Sequence, residues 1–157
     1  MPDGRSVEAG RKEQTVSTNQ SGRVMPIITV ASVDATRDFY VGKLGFEHVM
    51  GVVGKDGQLD FVSVVLDGAQ IMFARSSSPE APPAPPAARQ PVSVYVQVAD
   101  VDGYHAKVTK SGVKVSDPLK LQWWGDRTFK VLDPNNYEIW FYTNVGEAKP
   151  PQGAKVI

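Results

Sequence analysis

The sequence predicts an α+β fold made of two tandem β-α-β-β-β modules, and three observations carry that prediction. Apolar and polar residues alternate in short runs bounded by turn residues, with only two stretches of helical period. The order of these runs repeats: the helix-ending glycines Gly45 and Gly112 stand 67 positions apart (112 − 45), and the last strands of the two halves align at an offset of 68. That offset sets Gln70-Ile71-Met72-Phe73 on Glu138-Ile139-Trp140-Phe141. Between the halves, residues 76–91 change character, with Ser76-Ser77-Ser78-Pro79 followed by Pro82-Pro83 and Pro85-Pro86. Dense proline makes this a semi-extended linker.

In order, residues 1–23 are polar and without hydrophobic period, which predicts a flexible tail. Residues 24–33 are apolar and β-branched enough for a strand. Asp34 reads as an N-cap for a helix over 35–44 that buries Phe39, Tyr40 and Leu44, and Gly45 ends it. Strands over 46–53 and 59–66 form a hairpin across Lys55-Asp56-Gly57-Gln58; Asp67-Gly68 turns again into a strand over 70–75. These make the first module, 24–75. The second, 92–145, opens with a strand over 92–98. Asp100 caps a helix with Val101, Tyr104 and Val108 on one face, closed by Gly112. A short strand near 113–115 follows, then strands over 124–132 and 137–142 about the turn Asp133-Pro134-Asn135-Asn136. Residues 146–157 return to Pro, Gly and Lys and read as a loose tail. Each module alone is too small for a stable core, so the two must pair, within one chain or by exchange between chains.

Composition sets outer limits. The 157 residues carry 17 basic and 17 acidic side chains, so no long-range field favours nucleic acid or an anionic membrane. With no cysteine there is no disulfide framework, thiolate nucleophile or Cys-ligated zinc. No leader-like or membrane-spanning apolar run is present, so the expectation is a cytoplasmic protein.

The stretch 123–142 holds the functional signal. On its second strand Glu138, Trp140 and Tyr142 share one face and Ile139 and Phe141 the other. Two large aromatics and a carboxylate on one side suit an aromatic-walled cavity better than an aliphatic core. Trp123, Trp124 and Arg127 add to it; since neighbours on a strand face opposite ways, Trp124 is the one assigned to the pocket. On the fifth strand Ser93, Tyr95 and Gln97 share a face opposite four valines, which makes that face polar and open. Thr29, Gln70 and Met72 are the counterparts in the first module. The bland alternatives are core filling or a dimer interface for the tryptophans, solvent exposure for Ser93, Tyr95, Gln97 and Glu138, and a salt bridge for Arg127 with Asp126 or another carboxylate. His48 and His105 read as structural or exposed, Gly51 to Gly54 lacks the spacing of a dinucleotide fingerprint, and no Ser-His-Asp set emerges.

Asp38-Phe39-Tyr40 with Leu44-Gly45-Phe46, Trp124-Gly125-Asp126-Arg127 ahead of Phe129, and Asp133-Pro134-Asn135-Asn136 ahead of the final strand carry a family likeness. Across 24–145 the sequence resembles the vicinal oxygen chelate superfamily of glyoxalase I, extradiol dioxygenases and bleomycin-resistance proteins. The resemblance implies paired modules whose sheets curl into an open cup around one cavity, set at a dimer interface. It also implies four metal-ligand positions, which fall here on Met25, Met72, Ser93 and Trp140. Thioethers, a serine hydroxyl and an indole do not make a site for a hard or borderline divalent ion. The reading is therefore a metal-free, cofactor-free binding protein of the bleomycin-resistance type. It would be a homodimer holding a planar aromatic ligand between Trp140, Trp124 and Tyr95, with Met72 and Tyr142 as further walls. Ser93, Gln97, Glu138 and Arg127 would orient that ligand, and no residue is assigned a catalytic role. The alternatives are a divalent-metal lyase or isomerase of the glyoxalase or epimerase type, and a structural module that binds nothing small.

Overall fold

The computed structural model describes residues 23–76 and 88–157. The chain folds as β1 (Ile27–Val30), α1 (Val33–Gly42), β2 (Glu47–Val53), β3 (Leu59–Leu66) and β4 (Ala69–Arg75), then β5 (Ser93–Gln97), α2 (Val101–Lys110), β6 (Val115–Leu121), β7 (Asp126–Leu132) and β8 (Glu138–Asn144). Each half makes a four-stranded mixed sheet, ordered β1-β4-β3-β2 and β5-β8-β7-β6. The first strand of each half runs parallel to the last, and the other neighbours are antiparallel. This is the expected duplicated α+β architecture. The expected tail over 1–23, except Arg23, and residues 77–87 of the expected linker over 76–91 lie outside the described residues. Among the described residues no helix is long and apolar enough to cross a membrane.

The alternation of each strand selects which side is buried. Val62, Val64, Ile71 and Phe73 are 0–2 % exposed and pack with Tyr40 and Val33 of α1. Phe129, Val131, Ile139 and Phe141, all 0 % exposed, do the same with Val101 and Val108 of α2. At about 1.5–3 kcal/mol for each fully buried large apolar side chain, this face fixes the register. It leaves the alternate face of each sheet to face outward.

Two local readings are corrected. Ser32, with φ −132°, is the N-cap of α1 and accepts from the Ala35 N–H at 3.2 Å. Asp34 instead accepts the Leu59 N–H at 2.9 Å, tying the helix to the start of β3. Asp100 does cap α2, accepting the Gly103 N–H at 3.1 Å. The short strand expected near 113–115 is a seven-residue edge strand, β6, running through Pro118. It tolerates the proline because the ladder to β7 is irregular between Asp117 and Lys120.

The modules meet through side chains and turns. The Tyr40 hydroxyl, on α1, donates to Asp133 Oδ2 at 3.0 Å, and Asn135 Nδ2 donates to Thr36 Oγ1 at 3.0 Å. Asp133 Oδ1 accepts the N–H groups of Asn135 and Tyr137 at 2.8 and 2.9 Å, shaping the turn that presents these groups, with Asn136 at φ 61°. Nearby, the Tyr104 hydroxyl donates to Leu44 O at 2.6 Å and Ser111 Oγ to Lys43 O at 2.7 Å. Burial raises the Tyr40 phenol well above its ordinary range and raises the Asp133 carboxyl too, against the hydrogen bonds that pull it down.

Candidate functional site

The outward face of the second sheet collects aromatic rings because β5 and β8 pair in parallel with Ser93 opposite Glu138, Tyr95 opposite Trp140 and Gln97 opposite Tyr142. Tyr95 stacks on Tyr142 with ring centroids 4.3 Å apart, and lies 5.7 Å from Trp140. Trp124 comes up from the β6–β7 turn: its indole N–H donates to the Tyr95 hydroxyl at 3.0 Å, and its ring centroid is 6.2 Å from that of Trp140. Tyr95 is 43 % exposed, so the group is open to solvent on one side.

A polar frame fixes the rings. The Tyr95 hydroxyl donates to Asp126 Oδ2 at 2.8 Å, and Asn144 Nδ2 donates to Asp126 Oδ1 at 2.9 Å. Desolvation, with the Asp126 carboxylate adding to it, pushes the Tyr95 phenol up to about 12; the Trp124 N–H acts the other way and loses. Tyr95 is thus a neutral donor at ordinary pH. Glu138, 6 % exposed, accepts the Trp140 N–H at 2.8 Å and the Ser93 hydroxyl at 3.4 Å, and pairs with Arg89 at 2.9 Å. Lys130 lies 3.7 Å from the Trp140 ring centroid, with Asp117 and Glu138 oxygens at 3.5 and 3.7 Å.

Of the residues singled out from sequence, the structure brings together Trp140, Trp124, Tyr95, Tyr142, Ser93, Gln97 and Glu138, with the Tyr142 hydroxyl 3.5 Å from Gln97 Oε1. Met72 lies on the outward face of the first sheet, opposite Ile27 and Ser63. Arg127 does not join the site. It alternates with Phe129 and Val131 onto the helix side of β7 and grips Asp102 of α2 with Nε and Nη2 at 2.7–3.0 Å. The β7 cation on the aromatic face is instead Lys130, paired across the ladder with Trp140. The sequence reading missed Lys130 and considered Asp126 only as a salt-bridge partner for Arg127, although both share parity on β7 and their side was readable once Phe129 and Val131 were placed inward. Trp123 and Trp124 stand in a turn, not on a strand, with rings edge-on at 5.5 Å.

The positions that the family likeness assigns to metal ligands do not fit a divalent ion. Met25, Met72, Ser93 and Trp140 offer no imidazole or carboxylate, and the Trp140 N–H is already bound to Glu138. Among the described residues no group of three or more His, Asp or Glu side chains could hold a metal. His48 is exposed on β2, and His105 stands edge-on to Phe129 at 5.0 Å on the helix side.

Comparison with known proteins gives the same picture of the fold. The model of the Glyoxalase/Bleomycin resistance protein/Dioxygenase superfamily matches residues 20–141. An uncharacterised protein of Mycobacterium tuberculosis (strain H37Rv) is 26 % identical over 129 residues, covering 76 % of this chain and 73 % of that protein. Among solved structures, TioX from Micromonospora sp. ML1 superposes with a TM-score of 0.62 at 23 % identity, over 79 % of this chain and 100 % of its own. The bleomycin-binding protein of bleomycin-producing Streptomyces verticillus, solved with copper(II)-bleomycin, gives 0.56 at 24 % identity, over 79 % of this chain and 95 % of its own.

Proposed function

The chain belongs to the Glyoxalase/Bleomycin resistance protein/Dioxygenase superfamily, and from that premise we propose that it is a metal-independent binding protein that sequesters a planar aromatic compound without turnover. One observation carries the reading: Tyr95, Trp124, Trp140 and Tyr142 form a contiguous ring surface, tied by hydrogen bonds to Asp126 and Glu138 and open on one side. A surface whose rings are held in place before the ligand arrives loses little side-chain freedom on binding. The bleomycin-binding likeness supports the choice of a binding protein over a lyase or isomerase, as does the donor set at the metal positions.

Part of each sheet's outward face is uncovered in a single chain, with Ile27 64 % exposed on the first and Tyr95 43 % on the second. The reading therefore includes a homodimer in which a second copy brings its own sheet up to each ring surface. Sedimentation as a monomer at micromolar concentration would remove this part of it.

The test is Trp140→Ala against planar aromatic compounds, following tryptophan fluorescence and checking the fold by circular dichroism. Stacking is worth roughly 1–3 kcal/mol per ring, so affinity should fall about fivefold or more. Arg127→Met, on the other side of the sheet, is the control and should bind as wild type. Unchanged affinity in Trp140→Ala would take the site off this face.

A further inference from the structure

A cavity of about 430 Å³ lies beside the β6–β7 turn, where the chain leaving β8 crosses back over it. Its volume is within the range of pockets that enclose small ligands, roughly 300–1,000 Å³. Two backbone hydrogen bonds hold the crossing segment: Val145 N–H to Gly125 O at 2.9 Å, and Lys149 N–H to Trp123 O at 2.6 Å. The segment therefore has a seat on the turn, where the sequence suggested a loose tail. Between segment and turn, the side chains of Leu121, Trp123 and Val145 are left 63, 47 and 56 % exposed. Three large apolar side chains thus stand half-uncovered around one hollow.

The polar groups around the hollow give its guest little to bind by charge. Glu147 and Lys149 carry opposite signs. Trp123 O and Gly125 O are already accepting, and Gly146 O accepts the Asn144 amide at 3.3 Å. What the hollow offers is an indole face and aliphatic walls. We propose that it is a binding pocket for an uncharged planar ring, distinct from the Tyr95–Trp140 surface but adjoining it through the Trp123–Trp124 pair. It goes beyond the function proposed above, since the pocket takes a ring whether or not the larger surface does.

The test is a ¹H–¹⁵N NMR titration of the full chain with indole. Saturable shifts should concentrate at the amides of Gln122, Gly125, Gly146 and Lys149, and should persist in Trp140→Ala. The blocking variant is Gly146→Leu. A Cβ there meets nothing within 4 Å and the backbone is not left-handed, so a side chain enters open space with the fold intact. Indole affinity should drop at least tenfold in it. Indole shifts confined to Tyr95 and Trp140, their disappearance in Trp140→Ala, or wild-type binding by Gly146→Leu would each overturn the pocket. So would shifts at these amides that track protein concentration without indole, because a second copy would then occupy the hollow. Loss of planar-ligand binding at Trp140 with indole still bound here would separate the failure of one reading from that of the other.

Discussion

Replacing Tyr40 by Phe tests how the two modules are joined. The ring is fully buried, 4.7 Å from Phe73 and 5.2 Å from Phe46 by centroids, and a phenylalanine keeps those contacts. What goes is the hydroxyl that donates to Asp133 Oδ2 at 3.0 Å across 93 positions of chain. A hydrogen bond to a charged group is worth about 1.5–3 kcal/mol, and the acceptor left behind is buried, Asp133 being 3 % exposed. The expected loss is about 2 kcal/mol. In a chain of this size that lowers Tm by about 4–8 °C. In urea it moves the midpoint by about 1 M.

The loss should also depend on pH. Asp133 is held above the ordinary carboxylate range by burial, and the Tyr40 hydroxyl is one of the groups restraining that rise. A folded-state value above the unfolded one, about 3.9, gives stability that is present below the unfolded value and lost as pH rises through the folded one. Without the hydroxyl the folded value climbs further, so the deficit of Tyr40→Phe should be larger at pH 7 than at pH 4. Urea unfolding at both pH values, followed by circular dichroism, measures it. A midpoint shift worth less than about 0.5 kcal/mol, the size of an ordinary surface substitution, or a deficit that shrinks as pH rises, would refute the argument.

Two further outcomes follow from the geometry. Gly125 sits at φ 95°, and a Cβ there would fall inside the Gly146 carbonyl and 3.1 Å from the Glu147 carbonyl carbon. Gly125→Ala should cost about 2 kcal/mol or more, combining left-handed strain with that backbone collision, and should strip hydrogen-exchange protection from the Val145 and Lys149 amides. Retained protection would mean that the turn and the crossing segment are not coupled. Protein incubated with Ni, Zn, Fe and Mn and desalted should retain well under one equivalent of any of them by elemental analysis. Near-stoichiometric retention would return the chain to the metal-dependent alternative.

The architecture was legible because its signals are periodic. Alternation gave β3 its bounds and separated Trp140 and Tyr142 from Ile139 and Phe141, and the repeat gave the modules. What escaped the sequence depends on contacts between distant positions. Asp34 looks like a cap until Leu59 is known to lie beside it, and Asp133 looks like an ordinary turn residue until Tyr40 arrives from the other module. The strand expected near 113–115 falls short of β6, since Pro118 argues against a strand and only the edge position excuses it. Arg127 is a different case. Its parity with Phe129 was visible, and of its two readings the structure shows the salt bridge, with Asp102 as partner.

Parallel pairing of β5 with β8 also bears on how the ring surface comes into being. Ser93 and Glu138, neighbours across that ladder, are 45 positions apart, and between them lie α2 and two other strands. Closing such a long loop costs entropy before any contact rewards it, and contacts of high sequence separation slow folding. Tyr95 and Trp140 can meet only when that loop closes. A chain halted partway, or still emerging from the ribosome, would display the two rings on separate segments with nothing between them to grip. Assembly of the ring surface thus waits on the docking of the module's first strand on its last.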